Sequence, residues 1–235
     1  MTFRAELEAK VHELAIDLWG DIPDAYVVPS PEDLTFGNTG KRLNVCVLYA
    51  DIHCSTQMVD DLSDTRAAEY YKAFLYCAAK IIRKNRGDIT AYDGDRVMAV
   101  FTGTDQTDLA VGSALEIHYA VSHIINPQFT AIYNTYPRPI QHTIGIDCGR
   151  ILAAKTGIRV DSDLVWVGPS ANYAAKLNSF DGLDPNYPTR ITQEVFARLS
   201  NQSLFGDDRS PMWDGPYTNL GSRRHYRSHF LRTFA

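Results

Sequence analysis

The stretch "AYDGDRVMAV", from Ala91 to Val100, breaks an apolar, strand-forming run with Asp93, Gly94, Asp95 and Arg96. Asp-Gly between such runs is a hairpin signal, because both residues tolerate the positive φ of a tight turn. A hairpin does not need the further carboxylate of Asp95, and another acid-bearing segment lies upstream. In "LNVCVLYADI", alternation sets Val45, Val47, Tyr49 and Asp51 on one face of a strand that is apolar on both. An acid closing a buried strand is costly without a partner or a cation. Asp51 and Asp95 together would make a cradle for divalent ions, since magnesium takes a few carboxylates with phosphate oxygens and water. Two such ions activate an oxygen nucleophile and clamp a phosphate leaving group. Taken singly, each acid has a plainer use: Asp95 in the turn, and Asp51 as a cap for a helix beginning within "DIHCST". A third polar group lies in "GPSANYAAKL", where Asn172 and Lys176, four apart, share a helix face. By itself that face reads as an exposed polar surface.

These residues must be positioned by an ordinary globular chain. It has 235 residues, 45% hydrophobic and 22% charged, enough for one sizeable domain and a short appendage. A net charge of −5 argues against a nucleic-acid polymer as partner but not against a nucleotide, whose phosphates metal ions neutralise. Cys46, Cys54, Cys77 and Cys148 show no Cys-x-x-Cys spacing, which speaks against a zinc site and for reduced thiols. The N-terminus has no apolar signal core and no run of 18 apolar residues occurs, so the expected location is cytoplasmic, with no membrane partner.

Residues 4–19 have the spacing of an amphipathic helix, with Leu7, Val11, Leu14 and Leu18 recurring. A Pro-, Gly- and Asp-rich arm follows, so the chain divides into a helix and arm over 1–41 and a main domain over 42–235. After the first strand, Thr65 to Arg86 reads as a helix stopped by Gly87, and the acidic hairpin spans Ile89 to Phe101. A long helix runs over about Thr107 to Ile125, and "IQHTIGIDCGRILAAKTG" reads as two strands joined at Asp147-Cys148-Gly149. "DLVWVG" is a short strand, Gly168 allows tight entry to a helix opened by Ser170, and "TRITQEVFARLS" is strand into helix. The tail from Met212 holds one or two strands. This order predicts an α+β sandwich with helices on one face of a mostly antiparallel sheet.

"VLYADIHCST", "DGDRVMAVF", "IGIDCGRILAAKTG" and "VWVGPSANYAAKL", in this order, resemble the four signature segments of the class III nucleotidyl cyclase catalytic domain. The resemblance covers the chain from about Arg42 onward and implies a ferredoxin-like sandwich working as a homodimer. It implies that Asp51, Asp95 and the main-chain carbonyl of Ile52 hold two divalent ions per site, Mg²⁺ or Mn²⁺. It also implies that Asn172 positions the ribose of a nucleoside triphosphate, opposite the metal carboxylates of the other subunit. Lys176 stands where the family usually has an arginine that stabilises charge on the α-phosphate. Lysine keeps the charge and loses the planar fork. A basic residue of the late region, Arg223 or Arg224, would hold the terminal phosphates, although a solvated basic edge strand uses the same residues.

The positions where purine cyclases of the family carry polar base readers are Ala91 and Val165, neither of which can hydrogen-bond a base edge through its side chain. Tyr49 replaces the usual phenylalanine, and Arg96 follows the metal-binding Asp95 within reach of base or phosphates. This pattern resembles the stand-alone pyrimidine cyclases of bacterial Pycsar anti-phage systems. The resemblance implies that UTP, ahead of CTP, is converted to a cyclic monophosphate that switches on a separate effector. A purine cyclase that reads its base through main chain, a degenerate cyclase fold used for nucleotide sensing, and a metal-dependent phosphohydrolase are the competing readings.

Overall fold

The computed structural model describes residues 1–133, 139–179 and 184–234. In chain order the elements are α1 (Phe3–Ile16), β1 (Lys41–Ile52), α2 (Ser55–Asp61), α3 (Asp64–Lys84), β2 (Asp88–Asp93) and β3 (Arg96–Phe101). There follow α4 (Gln106–Ala120), a π-helical turn (Val121–Ile125), α5 (Asn126–Ile132), β4 (His142–Gly157), β5 (Ser162–Val167) and α6 (Pro169–Ser179). The last are β6 (Thr189–Thr192), α7 (Gln193–Phe196), α8 (Asn201–Leu204), β7 (Asp214–Leu220) and β8 (Arg223–Ser228). The sheet order is β2-β3-β1-β4-β6-β8-β7, with β5 paired to the far half of β4. All pairings are antiparallel except β4 with β6.

β1 lies between β3 and β4 and is apolar on both sides because each side meets its own core. Cys46, Leu48, Ala50 and Ile52 face a layer built from α3 and α4, through Tyr70, Phe74, Ile82, Val111 and Leu115. Leu43, Val45 and Val47 face the other way, against Ala171 and Ala174 of α6. Helices therefore cover both faces of the sheet and not one. The period-2 pattern of a doubly buried strand marks it as central but does not say what lies on each side.

The expected break at Asp147-Cys148-Gly149 is absent. β4 runs as one 16-residue strand, and Cys148 stands opposite Cys46 in an unbroken ladder with β1. The turn of the middle hairpin comes after Gly157, whose φ of 92° suits glycine. α6 begins at Pro169, one residue before the expected Ser170, and proline is favoured in the first helical turn.

Gly145 on β4 is where α6 comes closest. A Cβ there would lie 2.1 Å from the Ala174 carbonyl oxygen and 2.6 Å from the Asn178 nitrogen. Thr143 fixes the same approach, its Oγ1 donating to the Asn178 carbonyl at 2.8 Å. Because the obstruction is helix backbone, Gly145→Ala must push α6 away from the sheet. We expect a loss of roughly 1–3 kcal/mol in urea unfolding. Turnover should fall by more than that loss explains, because α6 carries Asn172 and Lys176.

The N-terminal arm packs on the domain. Ala25 N–H donates to the Arg42 carbonyl at 2.7 Å, Arg42 N–H donates to the Pro23 carbonyl at 2.9 Å, and Leu34 is buried in the second core. α1 forms as expected but buries no residue. Asn38 holds its C-terminal end through donations from Nδ2 to the carbonyls of Leu14 and Asp17.

Candidate active site

Two polar constellations emerge. The first sits at the end of β1 and the β2–β3 turn. Gly94, with φ 60°, and Asp95 form the two-residue loop between the paired Asp93 and Arg96, and glycine leads such a turn when only its first residue needs positive φ. The loop carries Asp95 to β1, where Ile52 N–H donates to Asp95 Oδ2 at 3.2 Å. The Ile52 peptide is thus fixed beside both acids.

Asp51 does not cap a helix; α2 is preceded by Cys54 in the left-handed conformation. Its partner is Arg96, one step beyond the Ala50–Val97 pair in the β1–β3 ladder. Arg96 Nε and Nη2 both donate to Asp51 Oδ2 at 3.0 Å. Asp51 Oδ1 is buried without a hydrogen-bond partner. Burial, then the neighbouring Asp95 carboxyl, push the Asp51 carboxyl up to about 6, against the opposing pull of Arg96. Two acids this close are short of positive charge, and the orphaned oxygen is a vacant acceptor, so the set fits a divalent cation. Among the described residues no three His, Cys, Asp or Glu side chains gather around one point. A metal held by two carboxylates and the Ile52 carbonyl would need the rest of its shell from phosphate and water.

Tyr49 and Ala91 pack on the same core face as Asp51, together with Trp166. Val165, beside that tryptophan on β5, is 41% exposed. The fold thus brings Tyr49, Asp51, Ile52, Ala91, Asp95 and Arg96 to one end of the sheet. Val165 is not packed among them.

The second constellation joins α6 to the start of β8. Asn172 and Lys176 are exposed on α6, as their spacing requires. Lys176 Nζ lies 5.2 Å from the centre of the Tyr173 ring, and the Arg223 guanidinium lies 4.3 Å from that centre. Tyr173 Oη is hydrogen-bonded to Ser222 Oγ at 3.0 Å. Arg223 is tethered from below by an ion pair with Asp147, a carboxyl in mid-β4 that also accepts from Thr192 Oγ1. Burial pushes Asp147 up to about 6 against those two partners. Arg224 is exposed, and its side chain makes no hydrogen bond or ion pair with another described residue. Tyr173, Asp147 and Thr192 were not singled out from the sequence, although a lone acid inside "IGIDCGRI" was a visible signal. Among the described residues no hydrogen bond or ion pair connects the two constellations.

Residues 39–212 match the family model of the adenylate and guanylate cyclase catalytic domain. The chain belongs to that family. It is 40% identical over 214 residues to a uridylate cyclase of Xanthomonas perforans, covering 91% of this chain and 90% of that protein. It is 43% identical over 209 residues to a uridylate cyclase of Burkholderia cepacia, covering 88% and 89%. Among solved structures, the adenylyl cyclase CyaB of P. aeruginosa superposes with a TM-score of 0.69 at 18% identity, over 82% of this chain and 97% of that one. That last likeness establishes the sandwich fold. The cyclase is a nucleotidyl-cyclising enzyme by family, and no helix among its described residues is long and apolar enough to cross a membrane.

Proposed function

We propose that this cyclase converts a pyrimidine nucleoside triphosphate, UTP ahead of CTP, to the 3′,5′-cyclic monophosphate and pyrophosphate. The observation that carries the reading is the Asp51–Asp95 pair, short of positive charge, beside an apolar wall of Ala91 that offers no side-chain reader for a purine edge. A site that reads hydrogen bonds discriminates strongly, and one of apolar surface does not. Tyr49 adds bulk and one hydroxyl on that same face. The 40–43% identity to proteins named uridylate cyclase supports the same base.

In the reaction the ribose 3′-oxygen attacks the α-phosphorus, and the bond to the pyrophosphate oxygen breaks. Divalent ions held by Asp51, Asp95 and the Ile52 carbonyl would acidify the 3′-hydroxyl and neutralise the triphosphate. Asn172 orients the ribose. Lys176 places a point charge at the α-phosphate, and Arg223, steered by Asp147 and Tyr173, meets the terminal phosphates; positioning and charge supply most of the acceleration in such transfers. Among the described residues no hydrogen bond or ion pair joins the two constellations, and the family resemblance implies a shared site, so the site is completed in a two-fold homodimer, each half supplied by a different subunit. The product is a diffusible messenger for a separate effector in anti-phage defence, the role implied by the resemblance to Pycsar cyclases.

The test is a product assay. Pure protein with UTP and Mn²⁺ should release cyclic UMP and pyrophosphate in equal amounts. Linear UMP or free phosphate would instead indicate a phosphohydrolase, and no turnover of any triphosphate would indicate a sensing module.

A further inference from the structure

Arg96 is bound to Asp51 in a way that bears on how metal enters. Both its Nε and Nη2 point at one oxygen, Oδ2, at 3.0 Å each, while the buried Oδ1 has no partner. The Arg96 side chain is 34% exposed and that of Asp51 only 16%, so solvent screens the pair weakly. Arg96 has no other ion pair among the described residues. Two carboxylates and one guanidinium leave the cradle one negative charge instead of two, and half of the Asp51 carboxylate is already engaged.

We infer that Arg96 is a built-in counter-cation that competes with divalent metal for Asp51, so that metal enters with the triphosphate and not ahead of it. The inference rests on reading Asp51 and Asp95 as metal ligands. A triphosphate brings several negative charges and offers the guanidinium a second forked partner, since Arg pairs with phosphate as readily as with carboxylate. Arg96 can then leave Asp51 as metal arrives. Metal and nucleotide each raise the affinity of the other, and by linkage the two factors are equal.

The experiment measures Mn²⁺ binding to the nucleotide-free full chain by electron paramagnetic resonance. Wild type should bind weakly, and Arg96→Met should bind at least about tenfold tighter, because a unit charge at contact distance is removed. Adding Asp51→Asn to Arg96→Met should abolish the gain. Arg96→Lys keeps the charge without the fork and should fall between, which preserves the test if the methionine variant does not fold. An α,β-methylene analogue of UTP should tighten Mn²⁺ more in wild type than in Arg96→Met. Equal or weaker Mn²⁺ binding by folded Arg96 variants, with Asp51-dependent binding seen when the analogue is present, would overturn the inference alone. Absence of Asp51-dependent Mn²⁺ binding in every protein, analogue included, would overturn the metal assignment and the inference with it.

Discussion

Replacing Asp51 with Asn is expected to abolish cyclisation while leaving the protein no less stable. If Asp51 holds metal as proposed, its loss removes several kcal/mol of transition-state stabilisation, roughly three or more orders of magnitude in turnover. Stability should move differently. The folded Asp51 carboxyl is held at about 6, above its ordinary value, so the fold favours the protonated form. That contribution is fully present below about pH 4 and is lost as pH rises through about 6. At pH 7.5, without metal, ionised Asp51 therefore works against folding, and a neutral amide of the same shape relieves it. The Asp51→Asn protein should melt at or above the wild-type temperature and show a flatter stability profile between pH 4 and 6. Asp95→Asn should be equally inactive. Near-normal turnover by either well-folded variant would sink the metal assignment, and a collapsed Asp51→Asn fold would mean that the acid is structural.

Mixing two dead proteins should restore activity. If Asp51 and Asp95 of one subunit work with Asn172 and Lys176 of the other, Asp51→Ala and Asn172→Ala chains each form inactive homodimers. Their heterodimer holds one intact site and one doubly damaged one. Random exchange makes half the dimers mixed, so about one quarter of wild-type activity should return. Subunit exchange is followed by native mass spectrometry on the same mixture. Confirmed exchange with no recovery would place the whole site within one chain.

Much of this arrangement was legible in the sequence because it depends on local pattern. The doubly apolar run ending in Asp51, the Asp-Gly turn, and the four-residue spacing of Asn172 and Lys176 each specify where a side chain sits on its own element. What stayed hidden depends on how elements meet. Asp51 and Arg96 are 45 residues apart, and only the β1–β3 register sets them face to face. The Asp147–Arg223 pair needs β4, β6 and β8 in their observed order. The supposed turn at Asp147-Cys148-Gly149 failed for a related reason. A glycine inside a strand can mark a bend or simply sit in a ladder, and the long partner β1 decided for the ladder. The second helical face was hidden because a doubly buried strand looks the same whichever element covers each side. α1 shows the converse: its apolar spacing produced a helix but no burial.

The choice of base is tested most directly by offering the enzyme ATP, GTP, CTP and UTP together at equal concentration with Mn²⁺, and resolving the cyclic products by mass spectrometry. Ala91 cannot select a purine by side-chain hydrogen bonding, and Tyr49 packs on the same face. Cyclic UMP should therefore dominate, with cyclic CMP second and the purine products minor. Cyclic AMP or cyclic GMP formed at least as efficiently as the pyrimidine products would contradict the account, even with the cyclase fold and both carboxylates intact.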